Sequence, residues 1–215
     1  MSKSNAAQNI NGWIIIDKPT GMTSTAVVNK IKWACSARKA GHAGTLDPSA
    51  TGLLAIALGE ATKTIPYVTE QVKSYTFEVK WGEATDSDDS DGKIIHKSQM
   101  RPSEQDITAI LPRFRGEIKQ TPPFFSAVKI NGRRAYELAR IGEDFDIASR
   151  SLFVSSLKLE KYISENSAIL SLECGKGGYV RSIARDLGLE LGCYGHVKWL
   201  RRIASGSFNL SMAHS

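Results

Sequence analysis

The chain has 215 residues, 41% hydrophobic and 23% charged, the composition of an ordinary globular protein long enough to bury a sizeable core. Three cysteines without a CxxC pair argue against a disulfide-stapled scaffold, and four scattered histidines without HxxxH or Cys/His spacing argue against a metal site. The net charge of +6 is compatible with a plain solvated surface, but the excess is clustered in "SARK" (36–39), "NGRR" (131–134) and "KWLRR" (198–202), which points to a polyanionic partner such as RNA or DNA.

The lead over residues 1–11 is polar, has no signal-peptide core and reads as disordered. No apolar run approaches the roughly 18 residues that would cross a bilayer, so a cytoplasmic protein without membrane attachment is expected. "GWIIIDKPTGMTS" predicts a short buried strand and a Pro/Gly turn, with Thr23 or Ser24 capping a helix in which Val27, Ile31 and Ala34 share a face. After the loop "GHAGTLDPSATG" (41–52), the run "LLAIALG" has the length and uninterrupted hydrophobicity of a central strand.

"KSYTFEVKWG" alternates, with Tyr75, Phe77, Val79 and Trp81 on one face and Thr76, Glu78 and Lys80 on the other, as in a half-buried strand. "EATDSDDSDGKII" is expected to be a solvated acidic turn closing a hairpin, since it lacks the spacing of a calcium loop. Ser103 and Asp106 form a capping-box pattern before a stripe of Ile107, Ile110 and Phe114. Residues 117–135 are broken by Pro and Gly and rich in basic and aromatic side chains, and "YELARIG" then predicts a short helix. Two strand-like runs, "SLFVSSLKLEKY" and "SAILSLECG", lead to an amphipathic helix with Val180, Ile183, Ala184 and Leu187 inward. With no internal repeat and no strict βαβ rhythm, the expected class is α+β, a mixed and mainly antiparallel central sheet with flanking helices.

The loop 41–52 is the segment that needs a chemical explanation. Its glycines at 41, 44 and 52 permit an unusual backbone path, and Pro48 stiffens the chain directly after Asp47. The P-loop pattern, the serine-hydrolase elbow and an advertised second carboxylate are all absent. Spacing alone leaves Asp47 either a turn-forming residue or a lone carboxylate acting as nucleophile or base.

"GHAGTLDPSATGLLAIALGEATK" resembles the signature of the TruB family of tRNA pseudouridine synthases. The likeness extends through "IIIDKPTGMTS", "KSYTFEVKWGEATDSDDSDG", "TPPFFSAVKINGRRAYELAR", "CGKGGYVRSIARDLG" and "HVKWLRRIASGSF", in order along nearly the whole chain. It implies the pseudouridine synthase fold over residues 12–215, with an RNA-binding insertion at about 119–150. It also implies isomerisation of a uridine in the T loop of tRNA, with no cofactor, no metal and no obligate protein partner, by a monomer.

Residue by residue, the resemblance implies that Asp47 is the catalytic carboxylate and that Arg181 pairs with it. Tyr75 corresponds to the tyrosine stacked on the uracil and His42 to the residue that enters the space left by the flipped base. Tyr179 and Leu200 correspond to pocket-lining positions, and Lys18 and Lys63 to basic residues of structural or backbone-contacting character. Lys129, Arg133, Arg134 and Arg202 are expected to meet RNA, with Phe124 and Phe125 offering apolar contact. Family members usually continue into a C-terminal RNA-binding domain, whereas this sequence ends at Ser215; weaker tRNA affinity with intact chemistry is the implied consequence. Two other readings are an RNA-binding protein on the same scaffold without catalysis, and the same chemistry directed to another RNA by a guide.

Overall fold

The computed structural model describes residues 9–214, so most of the expected disordered lead lies outside the described residues. In chain order the elements are β1 (Gly12–Lys18), α1 (Ser24–Ala34), β2 (Ala40–His42), β3 (Thr51–Leu58), α2 (Ile65–Thr69) and β4 (Lys73–Trp81). There follow β5 (Glu83–Thr85), β6 (Ile94–Lys97), α3 (Glu104–Ile110), β7 (Gly116–Gln120), β8 (Lys129–Ile130), β9 (Arg133–Arg134) and α4 (Ala135–Arg140). The chain ends with β10 (Arg150–Ser164), β11 (Ser167–Cys174), α5 (Val180–Glu190), β12 (Gly195–Ser205) and β13 (Phe208–Asn209). They form two compact units, one running through Tyr75 and resuming at Arg201, the other Thr76–Leu200. None of the described helices is long and apolar enough to cross a membrane.

In the first unit β3 is the central strand that its apolar run predicts. It pairs antiparallel with β1 from Gly12↔Leu58 to Lys18↔Gly52, and antiparallel with β2 at the far end. Arg201 and Arg202 of β12 run parallel to Thr51 and Gly52. Both faces of β3 are covered, which is why its sequence does not alternate. Leu54, Ile56 and Leu58 pack with Val27 and Val28 of α1, while Leu53 and Ala55 pack with Ile15 and Trp13 on the other side. Thr23 caps α1, its side chain accepting from the Ala26 N–H, and leaves the neighbouring Ser24 hydroxyl for another task.

In the second unit β10 pairs antiparallel with β7 and with β11. The pairing across the protein is thus mixed and mainly antiparallel, and the class is α+β. The Ser103–Asp106 capping box is present, but α3 stops at Ile110 and the chain tightens into a 3₁₀ turn before Pro112 can disrupt the helix. The buried stripe is accordingly Ile107, Leu111 and Phe114, with Ile110 only partly covered. In α5 the four expected inward residues are buried, together with Arg181 and Ser182.

Two expectations need correction. On the polar face of β4, Glu78 is buried: its carboxylate accepts from Lys198 Nζ at 2.9 Å and Trp199 Nε1 at 2.6 Å. Burial pushes its pKa up, and the hydrogen bonds from Lys198, Ser167 and Trp199 outweigh that and hold it below the usual range. The acidic turn does close the β5–β6 hairpin, but it is not solvated, since Ser87 and Asp88 are buried. The reason is opposite charge on α5, where Arg185 Nη1 lies 3.0 Å from Asp88 Oδ2 and Arg181 Nε 3.7 Å from Asp89 Oδ2.

Candidate active-site residues

The first unit holds the loop that carries Asp47. Three side chains build this loop from inside, and all act on main-chain atoms. Lys18, at the end of β1, is fully buried and donates to the carbonyls of Pro19 (2.9 Å), Met22 (2.7 Å) and Pro48 (3.1 Å). It therefore ties the Pro/Gly turn to the residue directly after Asp47. Burial lowers its pKa, the nearby Asp47 carboxylate opposes that effect, and Arg202 adds to it.

Ser24 Oγ donates to the Leu46 carbonyl and accepts from the Leu46 N–H, both at 2.9 Å, which fixes the residue before Asp47. Arg202 donates from Nε to the Leu53 carbonyl at 2.7 Å and from Nη2 to the Gly44 carbonyl at 3.0 Å. Expected at the RNA surface, Arg202 is instead 1% exposed: its guanidinium is enclosed among loop carbonyls and cannot meet a phosphate. Asp47 itself is partly buried, so its carboxylate sits on a backbone held by three inward-facing donors rather than on a mobile tip.

Two other first-unit candidates lie on strands. His42 ends β2 and is partly buried; burial and then the Arg202 charge hold its pKa below the ordinary value, so the ring is neutral at neutral pH. Tyr75 is buried on β4, on the face its alternation predicts. Lys63 is apart from this framework, exposed and ion-paired with Glu60.

The second unit presents Tyr179, Arg181 and Leu200. Tyr179 precedes α5, and its main chain is clamped by the amide of Gln120, which accepts from the Tyr179 N–H at 2.8 Å and donates to the Tyr179 carbonyl at 3.1 Å. Arg181 is buried in the first turn of α5 and donates to the carbonyls of Ser87 and Phe125, each at 3.0 Å. Leu200 is partly buried on β12. Lys129, Arg133 and Arg134 are exposed on the β8–β9 hairpin, with Arg133 paired to Glu143 at 3.0 Å. Phe124 nearby is exposed and meets Phe145 edge-on at 5.4 Å.

Gln120 and Ser24 were not legible as site-building residues from sequence. Each acts on a main-chain group far away in the chain, and no short-range spacing records that.

The pattern of the TruB family pseudouridylate synthase N-terminal domain matches residues 32–180, and that of the tRNA pseudouridylate synthase B C-terminal domain matches residues 181–215. The sequence is 58% identical to tRNA pseudouridine synthase B of Ruegeria pomeroyi over 97% of this chain and 69% of that protein. It is 56% identical to tRNA pseudouridine synthase B of Roseobacter denitrificans over 99% of this chain and 70% of that one. Among solved structures, a chain of a Cbf5-Nop10-Gar1 complex matches with a TM-score of 0.71 at 31% identity, over 92% of this chain and 50% of its own length. A chain of an archaeal box H/ACA sRNP Nop10-Cbf5 complex matches with a TM-score of 0.67 at 27% identity, over 95% of this chain and 50% of its own. The chain thus spans about half the length of these solved chains. It belongs to the TruB family of pseudouridylate synthases.

Proposed function

We propose that the chain is a cytoplasmic tRNA pseudouridine synthase that isomerises a uridine of the T loop, acting as a monomer with no cofactor. The observation that carries this reading is identity of 58% over 97% of the chain to a relative named for that activity. The exposed cations of the 129–134 hairpin support an RNA substrate, because a polyanion is what such a surface attracts.

In the reaction the uracil leaves the ribose at N1, turns, and rejoins through carbon 5; N1 gains a proton and carbon 5 loses one, so nothing is consumed. Asp47 is assigned as the carboxylate that drives the exchange, and Arg181 as its cationic partner. A target inside a folded loop must be everted to be reached, which gives work to an aromatic platform and a space-filling residue. Tyr75 is assigned the first role and His42 the second, with Tyr179 and Leu200 lining the base pocket. Lys129, Arg133 and Arg134 meet the phosphates of the T stem-loop.

Lys18 and Arg202 have a different part. They hold the main chain around Asp47, and an active-site group fixed by its own loop needs no reorganisation during the reaction.

The test is release of tritium from carbon-5-labelled uridine in tRNA transcripts, comparing the wild type with Asp47→Asn, followed by mapping of the modified nucleotide. Release by the wild type alone, with the modification in the T loop, is the expected result. Modification elsewhere would reassign the substrate, and equal release by both proteins would remove Asp47 from the chemistry.

A further inference from the structure

The ionic cluster around the acidic hairpin has a repeated geometry. Arg181 and Arg185 stand one helical turn apart on the same face of α5. Both reach the acidic turn and the segment after β7, and Arg185 also pairs with Asp186 at 2.8 Å. Arg181 donates to the carbonyls of Ser87 and Phe125, both at 3.0 Å. Arg185 donates to Asp88 Oδ2 at 3.0 Å and to the Thr121 carbonyl at 2.8 Å. The groups that hold Arg181 on the hairpin side, the Ser87 carbonyl and the Asp89 carboxylate, belong to the two chain neighbours of Asp88.

Asp88 is itself in an unusual state. Its φ is +61°, a left-handed conformation that most side chains resist, and the residue is 8% exposed. Three contacts hold it there: the ion pair to Arg185, the hydrogen bond from the Val197 N–H to its carbonyl at 3.1 Å, and that from its own N–H to the Thr85 carbonyl at 3.3 Å. An ion pair largely withdrawn from water is little screened; losing Arg185 strands the Asp88 carboxylate, while losing Asp88 leaves Arg185 on Asp186 and Thr121 but off the turn.

We propose that Asp88 and Arg185 are a positioning pair: they fix the turn 87–89 and, through it, the orientation of the Arg181 guanidinium. The inference rests on the reading of Arg181 as an active-site residue, but the geometric part stands without it. The charged groups facing Asp88 are Arg185, Arg181 and Asp186, all on α5. Burial pushes the Asp88 pKa up to about 6 against the pull of both arginines, so the pair changes charge within the range of an activity assay.

The experiment compares wild type, Asp88→Asn, Arg185→Ala, Arg185→Lys and the double variant D88N/R185A. It measures single-turnover tritium release from tRNA, tRNA affinity, the pH profile of the rate, and the Nε–Hε resonance of Arg181. Asn keeps the size of Asp and tolerates the left-handed backbone, so the first variant removes charge with little else.

Expected are rates about 10- to 100-fold lower for Asp88→Asn and Arg185→Ala, the scale of a misplacement near 1 Å. Affinity should stay within about 2-fold, and the double variant should be no slower than the worse single, as for residues acting as one unit. The wild-type rate should rise with pH through an inflection near 6 that Asp88→Asn lacks. Arg185→Lys should recover part of the rate, since it keeps the charge and loses the fork. The Arg181 resonance should move in both single variants.

Wild-type rates with an unmoved resonance would overturn the proposal, as would rate losses that leave the resonance and the pH profile unchanged. An inactive wild type with a resonance that moves would instead retire the proposed function and leave the positioning pair standing.

Discussion

The main chain of Arg202 lies against Gly52 so closely that a Cβ on the glycine would sit 2.3 Å from the Arg202 carbonyl oxygen and 2.8 Å from its nitrogen. Gly52 has φ of +99°, which an L side chain rarely adopts. The three nearest atoms all belong to the Arg202 main chain, which no rotamer change can move. Gly52→Ala is therefore expected to destabilise the first unit by about 2–4 kcal/mol, combining the left-handed backbone and the overpacking. Urea unfolding checks this, and an unchanged midpoint would contradict the packing argument.

The side chain of the same Arg202 serves the carbonyls of Gly44 and Leu53 and not the solvent. Binding of tRNA should distinguish it from the surface cations. Replacing Arg133 or Arg134, both exposed, should lower the slope of log K against log salt by about one, because one phosphate contact is lost. Arg202→Met should leave that slope as it is and slow the reaction by disordering the carbonyls around Asp47. A salt slope reduced by Arg202→Met would return the residue to the RNA interface.

The strands and helices were readable where the chain speaks locally. The unbroken "LLAIALG", the alternation from Tyr75 to Trp81, and the stripe Val180, Ile183, Ala184 and Leu187 each found the predicted element and face. The long strand β12 was not read as a strand, because Lys198, Arg201 and Arg202 hide its character. Their reasons for being there lie elsewhere in the chain: Glu78 for Lys198, Asp17 for Arg201, and loop carbonyls for Arg202. The acidic turn was misread for the same cause, since the arginines that bury it follow nearly a hundred residues later. Motifs nominated the candidate site and Lys18 as a backbone-contacting residue, while the Ser24 bonds to Leu46 and the inward turn of Arg202 were not legible.

Asp88 also sets a pH dependence of stability. Its folded pKa of about 6 lies above the ordinary carboxyl value of 3.8, so the folded state binds the proton more tightly than the unfolded chain does. Stability from this group is then fully present below about pH 4 and is lost as pH rises through 6. Against Asp88→Asn, which does not titrate, the wild type should lose on the order of 2–3 kcal/mol between those limits. Chemical denaturation at pH 4.5 and 7.5 (chosen to straddle the transition, roughly one titration width either side) measures it. A wild-type advantage that grows with pH would reverse the sign and place the Asp88 pKa below its unfolded value.

Neighbouring hydroxyls at the start of α1 offer an internal control for the loop. Thr23 accepts from the Ala26 N–H and caps the helix, while Ser24 makes both of its hydrogen bonds to Leu46, the residue before Asp47. Thr23→Ala is expected to cost about 1 kcal/mol through the lost cap. Ser24→Ala strands a buried N–H and a buried carbonyl on Leu46 and is expected to cost about 1–3 kcal/mol. The two changes thus resemble each other in stability and differ in what they release. Only Ser24→Ala frees the backbone that carries Asp47, so at temperatures where both variants are folded it alone should slow single-turnover tritium release, with tRNA affinity unchanged. Equal rates in the two variants would mean that the Asp47 loop is held well enough by Lys18 and Arg202, and that the Ser24 bonds serve folding alone.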